Sequence, residues 1–113
     1  MTIDDIILMT TKARLNRADV EACCQQQQIS SEAFCDEFAR LVATGYTTQR
    51  FTFAEADSAM NALLFGFQFQ VPKFAESVFM CFDAGQCHPN TPHLSSDEVA
   101  RPLVESLLHE SAA

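Results

Sequence analysis

A chain of 113 residues, 48% hydrophobic and 19% charged, has the make-up of one folded domain and excludes a disordered segment. Seven basic against fifteen acidic side chains leave a net charge of −8, which repels phosphate backbones and anionic lipid and so sets nucleic acid and membrane surfaces aside as partners. The acid is uneven: residues 1–50 carry five basic and seven acidic groups, residues 51–113 carry two and eight.

Helix signals come in sequence from the start. Thr2 is placed to cap a first helix, with Asp4 and Asp5 at the positive end of its dipole. In MTIDDIILMTTK those two aspartates stand where a secretory signal would be basic, so no export leader is read. Asn16 is placed to cap a second helix, which QQQQ at 25–28 ends. Ser30 or Ser31 opens a third, in which Phe34, Phe38, Leu41 and Val42 recur at helical spacing and Gly45 is expected to stop it.

Thr52 and Glu55 form a capping box ahead of the apolar stripe Phe53, Ala56, Met60, Leu63, Leu64 and Phe67. GFQFQV (66–71) alternates like a strand, but no second alternating run exists to pair with it, so helix or irregular chain is expected. Phe65, Phe67 and Phe69 cannot all face one way on a helix, which leaves at least one aromatic for the surface or for a second side of the core. Pro72 opens a helix with Phe74, Val78 and Phe82 in line, and Gly85 is expected to close it. Ser95 and Glu98 make a further capping box before Pro102, where the last helix breaks or restarts, with Leu103, Val104, Leu107 and Leu108 facing inward. These elements predict an all-α fold: a single domain, residues 1–113, packed as a compact bundle of five or six short helices around a core rich in phenylalanine.

The stretch CFDAGQCHPNTPH (81–93) holds two cysteines and two histidines. Zinc sites usually pair cysteines two to four residues apart, whereas Cys81 and Cys87 are separated by six positions and Cys81 falls inside a helix. The spacing of His88 and His93 suits a ligand pair, but Pro89 and Pro92 stiffen the loop between them. A helix end followed by a proline loop accounts for the stretch, and no metal or other cofactor is expected. Five cysteines, an odd number among apolar neighbours, point to reduced thiols in the cytoplasm, with Cys24 and Cys35 filling core space. The uncharged run from Ser58 to Pro72 is too short to span a bilayer. No activated nucleophile, phosphate-cradling loop or HExxH motif is present, so the chain does not read as an enzyme.

Read together, EADSAMNALLF (55–65), VPKFAESVFMCFDAGQCH (71–88) and RPLVESLL (101–108) resemble small acidic bacterial immunity proteins of contact-dependent, type VI and other polymorphic toxin systems. ISSEAFCDEFARL (29–41) fits the same helical style. The shared order is an aromatic helix ending in Phe82, Asp83 and Gly85, a loop with His88, and a last helix with Pro102; Gln86 stands where that family often has an acid. The resemblance implies one-to-one binding of a cognate protein toxin, with occlusion or distortion of its active site; the net charge of −8 would steer the chain towards a basic one. Glu55, Asp57, Glu76 and Asp83 are the expected charged contacts, Gln86 and His88 the polar ones, and Phe69 the exposed anchor. Two other classes fit the acidity or the 87–93 loop: an anionic mimic of nucleic acid that binds a basic host protein, and a small metal-binding protein. No oligomeric state follows from the sequence.

Overall fold

In the computed structural model, which describes residues 1–112, the chain forms six helices and, among those residues, no strand: α1 (Ile3–Thr10), α2 (Arg17–Gln27), α3 (Ser31–Thr47), α4 (Phe53–Gly66), α5 (Lys73–Gln86) and α6 (Ser96–Ala112). The fold is all-α. α3 and α5 are its middle: α5 packs on α6, α3 and α4, while α3 also meets α1, α2, α4 and α6. No helix is long and apolar enough to cross a membrane among the described residues.

Five of the six starts follow from a side chain that satisfies free backbone donors. Thr2 and Asp5 form a reciprocal capping box, as do Thr52 with Glu55 and Ser95 with Glu98; Asn16 and Ser30 accept from Ala18 and Ala33. Pro72 precedes α5 without a side-chain cap, its fixed φ of −62° setting the entry.

The helix ends correct the sequence reading. Gly45 and Gly85 do not stop their helices: α3 runs on to Thr47 and α5 to Gln86. Both glycines are buried inside the last turn, where a neighbour takes the space a side chain would need. A Cβ on Gly45 would lie 2.5 Å from the Phe51 ring, and one on Gly85 2.7 Å from Phe53 and 2.8 Å from the Ser96 carbonyl oxygen. The first left-handed residue past the ends of α2, α3 and α4 is in each case a glutamine: Gln28 (φ 56°), Gln49 (φ 67°) and Gln68 (φ 55°). In all three the next residue's N–H reaches five residues back, Ile29 to Cys24, Arg50 to Gly45 and Phe69 to Leu64, at 2.8–3.0 Å. Glycine is therefore spent on close packing, and the backbone bonds hold glutamine where glycine is commoner.

One cluster of buried residues runs from Ile3 to Val104, with Phe34, Phe38, Tyr46, Met60, Leu63 and Phe82 fully enclosed. Burial of side chains this size contributes about 1.5–3 kcal/mol each, so this cluster supplies most of the favourable term. Cys23 and Cys35 are enclosed in it, while Cys24 packs at its margin. Pro102 neither breaks nor restarts α6; it lies inside the helix at an exposed position, where its missing N–H removes one backbone hydrogen bond. The same face turns Leu103 outward, 44% exposed, against the inward expectation, while Val104 is buried.

Candidate partner-binding face

The end of α4 turns two phenylalanines into water and one into the core. Phe67 is buried, its ring 6.3 Å from that of Phe34, and the Arg17 guanidinium lies 4.2 Å over its face. Arg17 also donates to the Gly66 carbonyl at 2.9 Å, which ties the start of α2 to this turn. Beyond Phe67 the chain leaves the helix through two consecutive left-handed residues, Gln68 and Phe69 (φ 63°). A bulky side chain in that region is strained by about 1–3 kcal/mol. The Phe69 N–H holds the turn by donating to Leu64, and that of Gln70 by donating to Phe67. The consequence is outward aromatic area: Phe65 is 67% exposed and Phe69 52%.

These rings are not scattered. Phe65 and Phe69 meet edge-on with centroids 5.0 Å apart, and Phe69 meets half-buried Phe79 of α5 at 6.3 Å. Edge-to-face pairs of this kind are worth about 0.5–1.5 kcal/mol beyond their burial, so the ridge has a preferred shape even in water. On α5, Glu76, Met80 and Asp83 are spaced i, i+4, i+7 and all three are exposed, giving an acid–thioether–acid stripe beside Phe79.

On the other flank of Phe65 a groove of about 740 Å³ opens between the α1–α2 loop and α4, lined among others by Lys12, Arg14, Leu15, Asn61 and Phe65. Four of the seven basic side chains are folded over aromatic rings: Arg17 on Phe67, Arg40 on Phe74, Arg50 on Phe51 and Arg101 on Tyr46. Lys12 and Arg14 face the groove instead. The surface thus runs from a basic groove, across three aromatic rings, to an acidic stripe.

The seven residues singled out in the sequence fall into four settings. Phe69, Glu76 and Asp83 lie on this face. Asp57 is buried, 7% exposed, on α4; it accepts from the Gln86 amide at 2.7 Å and from Asn61 at 3.2 Å. Burial raises its pKa above the ordinary value of 3.8, and the nearby negative charge of Asp83 raises it further. Gln86 therefore fastens the end of α5 to α4. Glu55 closes its own capping box, accepting from the Thr52 N–H at 3.0 Å. His88 Nδ1 lies 2.8 Å from the Thr91 carbonyl oxygen, a contact that bends the loop after α5. Among the described residues no group of three His, Cys, Asp or Glu comes close enough to hold a metal ion.

Three of the five thiols are held in their protonated form. Burial pushes the Cys35 thiol up to about 12, with the Asp36 charge adding to it, and burial raises Cys24 and Cys81 as well. At neutral pH all three stay protonated.

Comparison of the chain with protein-family models, with characterised proteins and with solved structures finds no match.

Sequence reasoning passed over Phe79, Met80, Lys12 and Arg14, and named Phe65 only as one of three rings that a helix could not bury together. Met80 had a legible signal, since it lies opposite the inward line Phe74, Val78 and Phe82. The pairing of Phe69 with Phe65 and with Phe79 had none, because it depends on the left-handed turn between the two helices.

Proposed function

We propose that this chain is a cytoplasmic immunity protein that neutralises a cognate antibacterial toxin by one-to-one binding, with the Phe65–Phe69–Phe79 ridge and the Glu76–Met80–Asp83 stripe as its docking face. The observation that carries the reading is the outward, mutually stacked pair Phe65 and Phe69, held out by a strained turn. Aromatic anchors of this size supply slow release once a partner excludes water from them, and an acidic rim raises the rate of encounter with a basic partner. The resemblance of residues 55–65, 71–88 and 101–108 to small acidic immunity proteins points to the same class of partner.

The distribution of carboxylates favours this reading over mimicry of nucleic acid. Asp5, Glu55 and Glu98 serve capping boxes, Asp57 is buried, and Asp97 is held by Tyr46 and Arg101. What is left on this face is two acids around a methionine, not a phosphate-like row. Met and phenylalanine suit a protein surface better than a polyanion-binding groove would.

Co-expression with the product of the neighbouring gene tests the proposal. The expected outcome is that the product is toxic alone, that the intact chain restores growth, and that Phe65→Ser/Phe69→Ser does not. Toxicity that persists with the intact chain present at soluble levels would sink it.

A further inference from the structure

The face carries its own complement. Contacts fix the order of its parts: Lys12 and Arg14 share a groove with Phe65, Phe65 stacks on Phe69, Phe69 meets Phe79, and Phe79 sits between Glu76 and Asp83 on α5. A two-fold axis passing near Phe69 would lay the basic groove of one copy on the acidic stripe of another, twice over, with the aromatic rings between them. We infer that, in the absence of a toxin, a second copy of this chain covers the ridge, as a reversible two-fold dimer in which Lys12 and Arg14 of each protomer face Glu76 and Asp83 of its partner.

Three features argue for this occupant. A closed two-fold interface needs a patch whose halves complement each other, and this one has opposite charge on either side of an apolar centre. The four charged side chains are exposed and, among the described residues, enter no salt bridge or hydrogen bond within the chain, so each is available to a partner. Two phenylalanines more than half exposed also leave apolar area that a second identical surface removes from water. Repulsion between two chains of net charge −8 opposes the association, which keeps it reversible and lets a basic toxin displace the second copy.

The inference shares Phe69, Glu76 and Asp83 with the proposed toxin-binding face but stands apart from the toxin itself, and it is tested on the purified full chain by sedimentation velocity over a concentration series. The wild type is expected to move from 12.5 kDa towards twice that mass as concentration rises. K12E/R14E and E76K/D83K are each expected to remain monomeric, because each sets like charge against like at both contacts. Mixed in equal amounts they are expected to form a heterodimer, since every contact is then between opposite charges. A wild type that stays monomeric throughout overturns the inference. So does a dimer that survives either charge reversal, or a mixture of the two folded variants that fails to associate. Neutralisation of a toxin by a strictly monomeric chain would overturn the dimer and leave the proposed function standing; a dimer that protects against no toxin would do the reverse.

Discussion

Two sets of three aromatic rings make opposite use of the same chemistry. Tyr46, Phe53 and Phe82 lie within 5.0–6.4 Å of one another between α3, α4 and α5, with Tyr46 and Phe82 fully enclosed and Phe53 half-buried. The Tyr46 hydroxyl donates to Asp97 at 2.5 Å, and Arg101 stacks 4.5 Å above the Tyr46 ring while donating to the same carboxylate at 3.0 Å. Phe69 meets Phe65 and Phe79 at similar distances, and here Phe65 and Phe69 are both more than half exposed. The first set holds the helices together, and its polar tip is satisfied inside the molecule. The second has no polar tip, two of its three rings face water, and its turn is strained. Ring stacking alone does not distinguish a core from a binding face; what closes over the rings does.

Substitutions should separate the two sets, and the largest effect belongs to the closed one. Phe82→Ala should cost about 3–5 kcal/mol in denaturant unfolding, since the ring is fully enclosed and its cavity has two aromatic walls. Gly85→Ala comes next. Helix propensity alone favours alanine by about 1 kcal/mol, but the added Cβ meets Phe53, the Ser96 carbonyl and Ala100, so a net loss of about 1–3 kcal/mol is expected.

Tyr46→Phe removes a hydrogen bond to a charged group and should cost about 1.5–3 kcal/mol at neutral pH, read from chemical denaturation. Its pH dependence sharpens the comparison. Hydrogen bonds from Arg101 and then Tyr46 hold the Asp97 pKa below 3.8, so Asp97 contributes stability above that value and loses it as pH falls through its folded pKa. The Tyr46→Phe chain should therefore lose less stability over that acid range than the parent. Asp57 has the opposite sign. With its pKa raised, the ionised form weakens the fold at neutral pH and protonation relieves this as pH falls. Asp57→Asn should be more stable at neutral pH, the advantage vanishing in acid where both side chains are neutral.

The open set should give the smallest effects on stability. Gln68→Gly should gain about 0.5–1 kcal/mol by relieving a left-handed side chain. Phe65→Ser/Phe69→Ser should shift unfolding by no more than about 0.5 kcal/mol per site, as expected for exposed positions.

The fold was largely legible because its signals are local. Capping residues at Thr52 and Ser95 and the inward line through Phe74, Val78 and Phe82 act within one or two turns of chain. Gly45 and Gly85 misled because glycine has two uses, a left-handed stop and a close contact, and only the neighbours Phe51 and Phe53 decide between them. Those neighbours are tertiary. The site was less legible for the same reason. Phe69 was visible as a residue a helix could not bury, but its pairing with Phe65 and Phe79 needs the left-handed pair Gln68–Phe69. Asp57 looked like a surface acid until α5 brought Gln86 and Asp83 against it.

Calorimetric titration of the purified neighbouring-gene product with the parent chain and with Phe65→Ser/Phe69→Ser, after both are shown to unfold at the same denaturant concentration, tests the central claim most directly. The account predicts a saturating one-to-one complex for the parent and none for the doubly substituted chain. Equal affinity for the two, at equal stability, would contradict it.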